Sequence, residues 1–263
     1  FGPVPGRGVR CTITAIEDAS PTEAAPTQTS GDLDTMDVNA AAGSRQTALL
    51  RMPIVAGSTP CAEGGTVPVG MQVRSATLRV FTWDVVGAVD CANSCWHALE
   101  RVTGSWGEST ATWNDRPTLD TPSTLVFAHG SGSGDFGPRY QLITGPELTQ
   151  DVATFYALPS YNRGWSINPA CAPTYPGRTC PTDPVTFRMR TSEWGTPAER
   201  PLLSIVFAPV LTSAVQVRNI AFGTCASVFD NNLGDASKVV AMSCAGKGNQ
   251  AWTYDSTVKR FQG

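Results

Sequence analysis

Apolar and polar residues alternate in short runs along the first 208 positions, and each run closes on Gly, Pro, Asn or Asp. The runs are Thr47 to Ile54, Gln72 to Trp83, Trp96 to Val102, Thr124 to Ala128, Arg139 to Ile143, Gly164 to Ile167, Val185 to Arg190 and Leu202 to Phe207. Segments of about 4–10 residues bounded by turn signals predict the strands of a sandwich or barrel. The clearest is Ala76 to Trp83, where Ala76, Leu78 and Val80 alternate with Thr77, Arg79 and Phe81, so that one face is almost wholly apolar. Helical spacing occurs only in Glu147 to Leu158, through Leu148, Val152, Phe155 and Tyr156, and predicts a turn or two of helix there. Thr22 to Gly43 and Gly130 to Gly137 are small, polar and rich in Gly, Pro or Thr, which predicts loops. The expected fold class is therefore all-β, with a boundary near Pro209 that separates residues 1–208 from 209–263.

Composition sets the compartment. Eight cysteines among 263 residues, with 16% charged residues and two histidines, suit an oxidising exterior, so a secreted or cell-surface protein is expected. A net charge of −3, with no run of Lys or Arg, lacks the electrostatic footprint of a nucleic-acid partner or an anionic membrane surface. No apolar stretch reaches the roughly 18–20 residues of a membrane span, so membrane insertion is not expected. The chain opens at Phe1 without a signal-like apolar segment, and this start is read as processed or trimmed.

Motifs narrow the picture. Val73-Arg74-Ser75-Ala76-Thr77-Leu78-Arg79-Val80 is followed by Trp106-Gly107-Glu108-Ser109-Thr110-Ala111-Thr112-Trp113-Asn114-Asp115-Arg116-Pro117, then Asp151-Val152-Ala153, and lastly Thr191-Ser192-Glu193 before Pro201-Leu202-Leu203. In this order the segments resemble the DNRLRE, or disaggregatase-related, modules, which include carbohydrate-binding module family 96. The resemblance spans most of the first 208 residues. It implies a jelly-roll β-sandwich on extracellular bacterial or archaeal proteins, often appended to polysaccharide-active enzymes or surface assemblies. One departure stands out: the family's serine-arginine-glutamate near the last strand reads Ser192-Glu193-Trp194 here. Trp106 and Trp113, with Gly107 and polar residues between them, are expected to turn inward as core anchors. Trp194, flanked by turn residues, is the tryptophan expected to be exposed and is a candidate sugar contact.

The end of the chain carries a second pattern. Gly223-Thr224-Cys225, Val239, Cys244 and the ending Asn249-Gln250-Ala251-Trp252 resemble one repeat of a ricin B-type lectin. That resemblance implies a β-trefoil third, a Cys225–Cys244 disulfide, and carbohydrate contact through Asn249 and Gln250. Ser227 stands where such lectins carry a sugar-binding aspartate, and Met242 where they carry a stacking aromatic. A neutral hydroxyl makes weaker hydrogen bonds than a carboxylate, which weakens the implied sugar site. A trefoil closes only with three repeats. The remaining thirds are thus expected beyond Gly263 or from other chains, which makes self-association through the incomplete trefoil a candidate interaction. The whole reads as a jelly-roll sandwich followed by an incomplete β-trefoil.

Among the other cysteines, proximity in sequence suggests Cys91 with Cys95 and Cys171 with Cys180, leaving Cys11 with Cys61. Cys91-x3-Cys95-x-His97 is the alternative zinc reading, but no second paired-cysteine knuckle accompanies it. No cofactor is expected beyond structural calcium. Its candidate ligands are Asp32, Asp34, Asp37 and Asn39, which lack the glycine and closing glutamate of an EF-hand, and Glu17-Asp18 at the first strand.

Catalysis finds little to build on. His97 and His129 are the only imidazole bases, and Gly130-Ser131-Gly132-Ser133-Gly134 has the wrong register for a nucleophile elbow. Glu100, Glu108, Asp115, Asp135 and Asp151 are the carboxylates from which a glycosidase pair, about 5–9.5 Å apart, would have to come. A non-catalytic carbohydrate-binding or adhesion protein, with glycans as partners, is the leading expectation. A fibre subunit and an appended module of a polysaccharide-degrading enzyme are the alternatives.

Overall fold

The computed structural model describes residues 8–14, 17–87, 96–120, 125–128, 137–170 and 185–209, together with the backbone of four strands between 224 and 262. The chain divides into two compact units, Gly8–Val69 with Val73–Phe207, and Ala208–Gly263 with Gly70–Gln72.

Among the described residues the larger unit is all-β apart from one α-helix and two 3-10 turns, and its two sheets are antiparallel throughout the described pairings. The first sheet is built from β1 (Val9–Thr14), β3 (Thr35–Asn39), β5 (Met71–Val86), β8 (Arg139–Thr144), β10 (Thr186–Arg190) and β11 (Leu202–Pro209). Its order is β1-β11-β5-β10-β3, with β8 also paired to β5. The second sheet contains β2 (Glu17–Ala19), β4 (Ala48–Arg51), β6 (Trp96–Arg101), β7 (Leu125–Ala128) and β9 (Trp165–Pro169), in the order β2-β4-β9-β6-β7.

Side-chain alternation accounts for the first sheet. Ala76, Leu78 and Val80 of β5, Met36 and Val38 of β3, Phe187 and Met189 of β10, and Leu203, Ile205 and Phe207 of β11 are all buried. The opposite face of β5 carries Phe81 and Arg79, which pack on the Tyr140 ring with centroid distances of 4.9 and 4.5 Å. The sheets meet face to face where the buried imidazole of His97 on β6 lies edge-on to Phe187 on β10, 4.6 Å between centroids.

The second sheet alternates less, because both of its faces are covered. Ala48, Leu49 and Leu50 are consecutive and all buried. Leu49 packs with Ala19, Val102, Trp106 and Ala111 in a cluster under the chain that follows β6. On the other face Leu50 pairs with Trp165, and the Trp165 ring meets Phe155 at 5.2 Å. Phe155 belongs to α1 (Pro146–Ala157), whose Leu148, Val152 and Phe155 form the buried stripe. This helix has 12 residues, more than the turn or two expected. Gly164, which leads into β9, has φ +76°, and a Cβ there would overlap the Leu50 carbonyl, so only glycine admits this close turn.

Eight strands coincide with the sequence runs. The stretch Thr22 to Gly43, expected to be a loop, instead contains β3, because Met36 and Val38 point inward while Asp37 faces Arg188 of β10. Cys11 and Cys61 are joined by a disulfide with Cα atoms 4.9 Å apart.

In the smaller unit β12 (Thr224–Val228) pairs antiparallel with β13 (Val239–Ser243), and β14 (Thr253–Asp255) with β15 (Arg260–Gln262). The first ladder sets Cys225 opposite Met242, two residues before Cys244.

Candidate functional site

Asp18, at the middle of the three-residue edge strand β2, shares its register position with Leu50 and so points to the face that looks toward the other sheet. It has no exposed surface. One carboxylate oxygen, Oδ2, accepts the Ser192 N–H at 2.8 Å, from the connection that follows β10. The other, Oδ1, is buried with no hydrogen-bond partner. From the chain that follows β6, Glu108 accepts the Asp18 N–H at 3.3 Å and thereby caps the free edge of β2. Gly31 fixes Glu108 from behind: a Cβ there would overlap the Glu108 side chain and carbonyl. Glu193, exposed, completes the group, and one carboxylate oxygen from each of the three lies within 4.8 Å of the others.

Electrostatics follows from this crowding. Burial pushes the Asp18 carboxyl up to about 7, the Ser192 N–H and, more weakly, its hydroxyl pull it back, and the charges of Glu193 and Glu108 add to the rise. Burial also raises the Glu108 carboxyl, with the Asp18 N–H opposing and Glu193, Glu17 and Asp32 adding to it. Glu17 itself is held by Arg51. Three converging carboxylates of this kind hold either protons or a hard cation.

The other expected ligands and bases go elsewhere. Asp32, Asp34 and Asp37 form no metal-holding group among the described residues. Asp37 lies 3.6 Å from Arg188, and burial pushes its carboxyl up to about 6, the arginine opposing and Asp84 adding to the rise. Asn39 donates to Thr186 and accepts the Ala41 N–H. Of the carboxylates considered for glycoside cleavage, Glu108 joins Asp18 and Glu193. Glu100 is buried and accepts from Asn168, which also receives the Thr47 hydroxyl. Asp115 closes a turn with Thr112. Asp151 accepts the Trp165 indole N–H at 2.9 Å and lies 3.5 Å from Arg101.

The tryptophans divide. Trp106 is buried, donates its indole N–H to the Arg163 carbonyl at 2.7 Å and packs in the cluster around Leu49, as a core anchor should. Trp113, expected in the core, is half-buried with the Arg116 guanidinium 3.3 Å from its ring centroid, because the Thr112–Asp115 turn reverses the chain there and gives the inner positions to Ala111 and Thr112. Trp194 is half-buried. Expected to be exposed, its ring is instead covered by Arg190 at 3.4 Å, and its indole N–H donates to Glu199 at 2.8 Å. Arg190 also lies 4.3 Å from the Trp83 ring. Cys91, Cys95, Cys171, Cys180, His129, Asp135, Cys244, Asn249 and Gln250 fall outside the described residues, and Cys225 is described by its backbone alone.

Sequence patterns gave no sign of a cavity of about 500 Å³ at the end of α1. Its lining includes Arg101 and Thr103 after β6, Thr154 of α1, and Ser160, Tyr161 and Arg163 in the turn that follows. Tyr161 is 64% exposed. This turn is held from several sides. Asn162 donates to the Met52 carbonyl at 2.7 Å, Trp106 donates to the Arg163 carbonyl, and the Gly164 carbonyl accepts the Val102 N–H at 3.0 Å. Arg101 is braced by Asp120 and Asp151. The signal was too weak for sequence reading, since a lone Tyr-Asn-Arg-Gly segment is indistinguishable from an ordinary turn.

A scan of the chain against protein-family models returns no match, and a search of the curated proteins returns none either.

Proposed function

We propose that the chain is a non-catalytic carbohydrate-binding or adhesion protein of the cell exterior, its larger unit a jelly-roll module and its smaller one a ricin B-type trefoil repeat. The observation that carries the reading is the braced cavity beside Tyr161. An aromatic ring offers an apolar face to sugar CH groups, while hydroxyls and guanidinium groups around it, here Ser160, Thr103, Thr154 and Arg163, supply directional hydrogen bonds. A wall fixed by backbone hydrogen bonds loses little entropy when a ligand binds. Two of the carboxylates from which a glycosidase pair would have to come, Glu100 and Asp151, are buried and committed to Asn168 and to Trp165 and Arg101, which supports a non-catalytic reading. The Cys11–Cys61 disulfide favours an oxidising compartment.

An array of neutral and acidic oligosaccharides probed with the purified chain tests this. Binding is expected, and Tyr161→Ala should weaken it about tenfold, the loss of one stacking contact, without lowering Tm because the ring stands in solvent. A flat array, or full binding by the variant, would count against the cavity.

A further inference from the structure

We propose that Asp18, Glu108 and Glu193 form a calcium site that ties edge strand β2 to the connection between β10 and β11. The three side chains come from separate parts of the larger unit: a strand of one sheet, the chain after β6, and the chain after the last residue of β10 in the other sheet. Their ligand oxygens all lie within 4.8 Å of one another, close enough for one hard cation to bond all three. Calcium accepts an irregular shell of carboxylate oxygens, whereas magnesium demands a near-ideal octahedron and gives up its waters reluctantly, and zinc favours nitrogen or sulfur, neither of which the group offers.

Proximity of acids alone does not make a site. The second observation is the buried Asp18 Oδ1, which has no hydrogen-bond donor although its sister oxygen takes the Ser192 N–H. A sealed carboxylate oxygen is tolerated when a proton or a cation satisfies it. The charged neighbours acting on Asp18 are Glu193 and Glu108, and those acting on Glu108 are Glu193, Glu17 and Asp32, all of them acidic. Arg51, the nearby cation, is engaged by Glu17. Near neutral pH a divalent cation meets this concentration of charge, and the exposure of Glu193 leaves a route for it and for the waters that complete its shell. An open site with three carboxylates is expected to bind in the micromolar to millimolar range.

The test uses the full chain, stripped with EDTA, dialysed and titrated with calcium chloride by calorimetry, with melting curves recorded in EDTA and in millimolar calcium. Saturable binding of one ion and a rise in Tm are expected. Glu193→Gln and Glu108→Gln should each weaken binding at least about tenfold. Glu193 is exposed, so its variant folds, and in EDTA it should melt at or above the parent because repulsion is relieved. A merely structural glutamate would lower Tm with and without calcium alike. Absence of heat and of any Tm change at millimolar calcium would overturn the site, as would parental affinity in Glu193→Gln. The cavity beside Tyr161 is not involved, so the glycan reading stands or falls separately.

Discussion

Asp151 and Asp18 are buried in the same unit and are served in opposite ways. Asp151 sits on α1 with the Trp165 N–H as donor and the Arg101 guanidinium 3.5 Å away, so the chain itself supplies both a hydrogen bond and a counter-charge. Asp18 has one backbone donor, two carboxylates for company and an oxygen left over. The first arrangement is what a buried charge needs in order to be part of a core. The second is incomplete until something from solvent arrives. Burial alone therefore does not separate a structural carboxylate from a binding one, whereas the sign of the neighbouring charges does.

Substitutions sharpen this contrast. Asp151→Ala should be the most damaging, since it strands the Trp165 N–H inside the core and removes a partner of Arg101. We expect a loss of about 3 kcal/mol, read as a Tm lower by roughly 6–12 °C, equal in calcium and in EDTA. Asp18→Asn should act in the opposite direction. In EDTA at neutral pH it removes a buried, repelled charge and should raise stability by about 1–2 kcal/mol, while abolishing the response to calcium. Asp32→Asn is the mildest: the residue is exposed and bears on Glu108 only at a distance. Calcium affinity should fall about two- to threefold, and less at high salt, as calorimetry at two ionic strengths would reveal.

Strands were legible where one face is buried and the other is not. The run from Ala76 to Val80 reads directly as β5, and Leu203, Ile205 and Phe207 as β11. β3 is hidden because Thr35, Asp37 and Asn39, which alternate with its apolar positions, are residue types typical of loops, and only Met36 and Val38 remain to mark it. The helix was underestimated for a similar reason: buried Asp151 interrupts the apolar stripe, and its partner Trp165 is 14 residues away in sequence. The acidic group was half legible. Glu17-Asp18 could be singled out as a calcium candidate, but Glu108 and Glu193 reach Asp18 from 90 and 175 residues along the chain, and no local spacing encodes such an approach. Close spacing of Asp32, Asp34, Asp37 and Asn39 in sequence does not bring their side chains together. On a strand, the partners across the ladder, Arg188 and Thr186, decide where Asp37 and Asn39 go.

The most direct measurement is unfolding stability against pH, from about pH 5 to pH 7.5, for the parent and Asp18→Asn in EDTA and in calcium. A carboxyl pushed up to about 7 from 3.8 takes up its proton on folding, so its contribution is complete below the unfolded value and lost as pH rises through 7. In EDTA the parent should therefore lose roughly 2–4 kcal/mol across this range. Asp18→Asn should keep only the smaller decline due to Asp37, lost as pH rises through about 6, and to Glu108, whose carboxyl burial also raises. Calcium should abolish the difference in slope between parent and variant by holding the carboxylates ionised. Parallel profiles for parent and variant in EDTA, or a parental decline that calcium leaves unchanged, would contradict the assignment of Asp18 as a charge that waits for a cation.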